Sequence, residues 1–264
     1  MPDRFRAHAF ALLLAAASPA VAQPLEPIDV DAEIVLAVDA SRSMDLDEFA
    51  VQRDGYLQAL RHPDFARAVA AGRLGRVAIA YFEWSGQVQD SGLIPWRLID
   101  GPGAAAALAD EIAAMPVERS RGTSIARAIA FATVLIEDDL VVGARRIIDV
   151  SGDGANNTGP PVTEARDAAV ARDITINGLP VMAFPGGALA DLDTYYQDCV
   201  IGGLGAFVMV ARTGEELAAT IRRKLIVEVS GLAPPMSAIP VDFHQPTDCL
   251  IGEKRYRQRY WDGR

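Results

Sequence analysis

The chain has 264 residues, half of them hydrophobic, with a formal charge of −10 and three histidines, His8, His62 and His244. That length and apolar content favour one large α/β domain over two small ones. The acidic balance argues against nucleic acid or anionic lipid as partners, and three scattered histidines argue against a zinc cluster.

The first 22 residues read as a secretory signal. "MPDRFR" carries two arginines, "AFALLLAAA" is a short apolar stretch, and "AVA" at 20–22 has the small-x-small form of a cleavage site. The run is short for a bilayer span, and no later segment reaches about 18 apolar residues. The expectation is an exported protein, periplasmic or extracellular, without a membrane anchor. Cys199 and Cys249, the only cysteines, would then meet an oxidising compartment, which predicts a disulfide between them.

From residue 33 apolar runs alternate with amphipathic stretches. "EIVLAVD" (33–39) predicts a strand buried on both faces. A helix follows, with Asp45 and Glu48 spaced as a capping box; Leu46, Phe49, Ala50, Leu57 and Leu60 fall near one face. A short helix is expected over 65–72 and a strand over 76–85. "GQVQDSG" and "IPWRLI" suit a hairpin or edge strand. Helices are expected over 104–115 and 123–138, the second with Ile125, Ile129, Ala132 and Ile136 inward. A strand over 144–154 runs into a polar turn, a helix follows over 162–173, and a strand over 174–183. "AFVMVA" (206–211) reads as the last strand, and 213–230 as a closing helix with Thr213 as N-cap. Asp149, inside a strand, needs a partner if it turns inward, with Arg145 or Arg146 at hand.

Strands separated by helices imply right-handed crossovers. The predicted fold class is therefore a three-layer, doubly wound α/β domain, with a mostly parallel central sheet and helices on both faces. It should span residues 30–230. The segment 231–264 is expected to be a proline-rich extension that crosses the domain as an extended tail tied down by Cys249. Its end, "EKRYRQRYWDGR", is locally basic and aromatic. It reads as a tail packing its rings on the domain, with a docking patch for an acidic partner as the alternative.

In such sheets ligands bind beyond the carboxyl ends of the strands. "DASRSM" (39–44) and "SGDGANN" (151–157) both follow strands directly. Asp39, Ser41 and Ser43 from the first, Asp153 from the second and Thr123 from "RGTS" form a set of hard oxygen donors suited to Mg²⁺, Mn²⁺ or Ca²⁺. Each has a plainer reading: Asp39, Ser43 and Thr123 as helix caps, Asp153-Gly154 as a turn.

This set resembles the von Willebrand factor A (VWA) domain and its metal-ion-dependent adhesion site, abbreviated MIDAS. The family pattern is Asp-x-Ser-x-Ser, then a distant Thr, then a distant Asp in a Thr/Ser-Asp-Gly turn. Asp39-Ala-Ser41-Arg-Ser43 matches the first part, Thr123 the second and Asp153-Gly154 the third; Gly152 departs from the usual Thr or Ser. The chain also looks like a group of exported bacterial proteins with this domain, on "RRIIDVSGDGANNTG" and "CVIGGLGAFVMVA". The resemblance implies that Ser41, Ser43 and Thr123 touch the ion, that Asp39 and Asp153 act directly or through water, and that a partner's Glu or Asp completes the octahedron. It implies a non-catalytic protein-binding module. A metal-dependent hydrolase using the same ion, or a degenerate rim with only a structural role, are the alternatives.

Other motifs carry less. "GPGAAA" (101–106) lacks the final glycine of a dinucleotide turn. "IGGLGAF" (201–207) precedes a strand rather than a helix. Ser151 lacks the first glycine of a nucleophile elbow. Asn156-Asn157-Thr158 matches a glycosylation sequon.

Overall fold

The computed structural model describes residues 26–138, 140–184, 189–232 and 247–262. The expected export signal and the proline-rich stretch 233–246 lie outside the described residues. Chain order runs β1 (Ile28–Val30), β2 (Glu33–Asp39), α1 (Leu46–Arg61), α2 (Pro63–Ala70), β3 (Val77–Trp84), β4 (Val88–Ile99), α3 (Pro102–Ala114), α4 (Ile125–Glu137), β5 (Val141–Gly143), β6 (Arg146–Gly152), α5 (Val162–Val170), β7 (Ile174–Pro180), α6 (Leu192–Tyr195), α7 (Gly214–Ser230) and α8 (Ile251–Asp262). A π-helical turn over Tyr196–Val200 continues α6.

Five strands form one sheet in the order β4-β3-β2-β6-β7. The edge strand β4 is antiparallel to β3; the other pairings are parallel. Successive side chains of a strand point to opposite faces. Ile34, Leu36 and Val38 of β2 therefore pack with Leu60, Phe65, Leu108 and Leu225 from α1, α2, α3 and α7. Val35 and Ala37 pack on the other side with Ile129 of α4, Ala169 of α5 and Tyr196 of the π-helical turn. This is the three-layer α/β architecture expected from the sequence.

Local chemistry sets the helix starts. Asp45 and Glu48 close the capping box in both directions, at 2.8 and 2.7 Å, Pro63 occupies the first turn of α2, and Thr213 caps α7. Phe49, Leu57 and Leu60 are buried as expected, but Leu46 and Ala50, in the first two turns of α1, face solvent.

Three expectations need correction. Residues 206–211 form no regular strand. They run beside β7 through isolated bridges at Val208 and Ala211, and the Asn177 side chain takes the Phe207 N–H at 3.2 Å in place of a backbone carbonyl.

The partner of Asp149 is Lys224 of α7, neither neighbouring arginine. Lys224 Nζ lies 2.6 Å from Asp149 Oδ1 and 2.6 Å from Glu228 Oε1, and all three side chains are buried. Asn177 Nδ2 adds a hydrogen bond to Glu228 Oε1 at 2.8 Å. Arg145 instead binds the carbonyls of Glu228 and Val229 at the end of α7, and Arg146 that of Arg172.

The basic terminal segment is a helix, α8, rich in the good helix formers Lys, Arg, Gln and Glu. A Cys199–Cys249 disulfide, Cα–Cα 5.5 Å, joins its approach to the π-helical turn. Gly252 brings α8 against the loop after β6: a Cβ there would run into the carbonyl oxygen of Asn156. Glu253 Oε1 accepts from Asn156 Nδ2 at 2.6 Å.

Two outcomes are expected. Replacing Cys199 and Cys249 by serine lowers stability in denaturant unfolding by up to about 4 kcal/mol, the loop-entropy value for a separation of 50 residues. The second concerns Glu228, whose carboxyl is pushed up to about 8 by burial and then by Asp149, against the pull of Lys224. Between its ordinary value of 4.5 and about 8 the folded state keeps a proton that the unfolded chain has released. This group's contribution therefore falls as pH rises through that window. Glu228→Gln flattens the dependence and is the more stable protein at pH 8, by on the order of 1–3 kcal/mol, in unfolding titrations run from pH 5 to 8.

Candidate functional site

The parallel register of β2 and β6 places Val38 opposite Ser151, so both strands release their polar loops at the same end of the sheet. Asp39 ends β2 and is fully buried; Asp153 lies one residue past β6 and is 5% exposed. Ser41 N–H donates to Asp39 Oδ1 at 2.7 Å, which folds the 39–44 loop back on its strand. Gln52 of α1 holds the Asp39 carbonyl at 2.8 Å.

The hydroxyls form a chain. Ser41 Oγ and Ser43 Oγ are 2.6 Å apart, and Ser43 Oγ donates to Asp153 Oδ1 at 2.6 Å. The loop before α4 closes the third side. Its Ser120 carbonyl accepts from Arg42 N–H at 3.1 Å, and Arg119 Nη2 donates to the Ser41 carbonyl at 3.2 Å. Asn157 ties the Thr123 backbone on both sides, at 2.9 and 2.8 Å. Thr123 is buried, and its Oγ1 faces the Asp153-Gly154 turn, 3.8 Å from where a Cβ on Gly154 would be. The cap of α4 is Ser124, not Thr123, so the hydroxyl of Thr123 is not spent on the helix. The structure thus brings all five predicted residues to one rim.

The site has an electrostatic deficit. Burial and then the facing Asp153 push the Asp39 carboxyl well above the usual carboxylate range, against the Ser41 hydrogen bonds. Burial likewise raises Asp153, opposed by Ser43. Asp39 Oδ2 is buried with no hydrogen-bond partner. Two close, buried carboxylates and a row of hydroxyls suit a hard cation. Ligands at neighbouring corners of a Mg²⁺ octahedron lie about 3 Å apart, close to the oxygen spacings here. Among the described residues no cluster of three or more His, Cys, Asp or Glu forms a metal site; three of the five donors in this set are hydroxyls.

Gly152, where the VWA pattern has Thr or Ser, has a steric cause. A Cβ there would sit 2.9 Å from Asp39 Oδ2 and 2.9 Å from Tyr196 Oη. Tyr196 Oη is itself buried without a partner, and burial and then Asp39 raise its phenol. The Tyr196 hydroxyl therefore fills the place beside Asp39 that a side chain at 152 would take. Sequence reading missed Tyr196, which sits in a π-helical turn 44 residues further along. The sequon is also resolved: Asn156 is fully buried and engaged by Ala126, Pro160 and Glu253, so it offers no accessible amide.

A polar cavity of about 330 Å³ opens on this rim, lined by Ser43, Thr123 and Gly154 and walled by α8 through Arg255, Tyr256 and Arg259. A larger one, about 650 Å³, lies between the starts of β6 and β7 and the end of α7, at the other end of the sheet.

Sheet order and strand-end loops give this chain a VWA-like fold. Solved structures agree. The pilus adhesin SpaC from Lactobacillus rhamnosus GG is 12% identical with a TM-score of 0.56, covering 79% of this chain and 31% of its own. A von Willebrand factor type A structure from Catenulispora acidiphila is 15% identical with a TM-score of 0.54, covering 76% and 43%. Proximal thread matrix protein 1 from the mussel byssus, solved with a zinc-occupied MIDAS motif, is 16% identical with a TM-score of 0.53, covering 78% and 49%. This chain thus spans between about a third and a half of the length of these three structures. The chain belongs to the family described as "Protein of unknown function (DUF1194)", whose model matches residues 29–233. No curated protein sequence matches it. No helix among the described residues is long and apolar enough to cross a membrane.

Gly152→Ala is expected to destabilise the fold by about 1–3 kcal/mol through overpacking. Tyr196→Phe removes one of the two clashing oxygens, so the double variant loses less than the sum of the two single ones. A double-mutant cycle in denaturant measures that coupling.

Proposed function

We propose that this chain is an exported, non-catalytic binding module. In this reading Asp39, Ser41, Ser43, Thr123 and Asp153 surround a divalent cation, Mg²⁺ first and Mn²⁺ or Ca²⁺ next, and a Glu or Asp carboxylate of a partner protein takes the open place. The domain occupies 30–230, behind a signal at 1–22 and before an extension at 231–264. The observation that carries the reading is the buried, unpartnered Oδ2 of Asp39 beside Asp153. A second positive centre is what the two carboxylates lack. The zinc-occupied MIDAS motif of the mussel protein and the adhesin description of SpaC support the same class of function. A hydrolase would have to use the rim carboxylates themselves as general base, the two groups this reading gives to the ion. His62, the one histidine among the described residues, caps α2 through a 3.1 Å bond from Asp64 N–H.

Calorimetric titration with MgCl₂ tests this. The wild-type chain takes up one ion, and Asp39→Ala and Ser43→Ala weaken or abolish uptake. Mg²⁺ at a hundredfold excess over Kd adds about 2.7 kcal/mol to wild-type stability and little to Asp39→Ala. Unchanged Mg²⁺ uptake by Asp39→Ala refutes the assignment.

A further inference from the structure

The chain is acidic overall, yet α8 carries Lys254, Arg255, Arg257 and Arg259 against Glu253 and Asp262. Residues four apart share a helix face, so Arg255 and Arg259 project together, and both line the 330 Å³ cavity beside Ser43 and Thr123. Arg42, from the loop between Ser41 and Ser43, lines it as well. All three arginines are exposed. Among the described residues none of the three forms an ion pair; Arg42 Nε has only the Arg119 carbonyl, at 3.3 Å. The basic face of α8 is not held there by salt bridges to the rim. It is fixed by the Cys199–Cys249 bond, by Glu253 on Asn156 and by the close approach at Gly252. The positive charge is thus positioned next to the five oxygen donors and left available.

We infer that α8 is part of the binding surface, and that the partner offers a cluster of carboxylates rather than a single one. One carboxylate enters the cavity toward Ser43, Thr123 and Asp153. Its neighbours along an acidic peptide segment lie against Arg42, Arg255 and Arg259. The guanidinium fork pairs with carboxylates in two-point fashion, which lets the wall read the density of acidic side chains and not merely the presence of one. This inference rests on the metal reading above for the first carboxylate only; the arginine contacts stand without it.

The test uses the full oxidised chain and a fluorescein-labelled hexaglutamate peptide, in excess MgCl₂ and separately in EDTA, with Mg²⁺ uptake measured in parallel. Wild type binds hexaglutamate more tightly than a peptide with one glutamate among serines, and added NaCl weakens the difference. Arg255→Gln/Arg259→Gln lowers hexaglutamate affinity about tenfold or more, while its thermal midpoint stays at the wild-type value. Reducing the disulfide, or Cys249→Ser, lowers peptide affinity in the same direction. Affinity unchanged in the arginine variant overturns the proposal. Affinity raised in that variant, or on reduction, overturns it by showing α8 to be a lid. Equal competition by a single-stranded oligonucleotide of matching charge overturns the assignment to carboxylates. If Mg²⁺ is not taken up at all, the metal reading fails by itself. Loss of EDTA-resistant hexaglutamate binding in the arginine variant then still supports the wall, and its persistence still refutes it.

Discussion

β2 and β6 lie side by side at the centre of the sheet, parallel and in register from Glu33 against Arg146 to Val38 against Ser151. That pairing forces two carboxylates, Asp39 and Asp153, toward each other at one depth below the surface, where water cannot screen them. The surrounding loops relieve part of the repulsion: a backbone N–H from Ser41 on Asp39 and a hydroxyl from Ser43 on Asp153. The remaining lone pair on Asp39 is the feature the rim is organised around. A fold that only needed to be stable would place an apolar residue there, because an unmet buried oxygen costs roughly 1–3 kcal/mol.

A second charged centre sits half a strand lower, with a different task. Lys224 joins Asp149 of β6 to its own helix neighbour Glu228. Buried ion pairs add little net stability compared with apolar packing, but losing the Lys224 ammonium would leave the buried Asp149 carboxylate without its counter-charge, which is costly. Such a cluster fixes one rotation and height of α7 against the sheet, where the surrounding Leu217, Ile221 and Leu225 could pack in several. A third buried pair, Arg53 of α1 with Glu83 of β3 at 2.9 Å, also holds the carbonyls of Met115 and Pro116. It anchors the strand of chain that leads to Arg119 and Thr123. Sheet, helices and rim loops are thereby referenced to one another by charge, with hydrophobic packing filling the space between.

The layered architecture was legible because it is written in local periods: an apolar run for β2, a capping box for α1, an inward stripe for α4. The rim donors were legible because three of them fall within five residues and the others open or follow recognisable elements. Other features were not. Asp149 finds Lys224 across 75 residues of sequence, and the nearer Arg145 and Arg146 were the natural expectation until α7 was seen to bring an ammonium to the strand. Tyr196 reaches the rim from a π-helical turn, which no apolar period announces. Residues 206–211 have strand composition but lose ladder positions to the side chain of Asn177. The terminal segment has too few apolar residues to show a helical stripe; α8 is held by a disulfide, a glycine contact and one carboxylate–amide bond, none of which leaves a periodic trace.

The covalent link between Cys199 and Cys249 has a topological result. The wall of the rim is attached to the domain by a covalent bond of its own, besides the continuity of the chain. A single cut between Leu232 and Thr247 leaves two fragments joined by that bond, which part in an electrophoresis gel only after a thiol has been added.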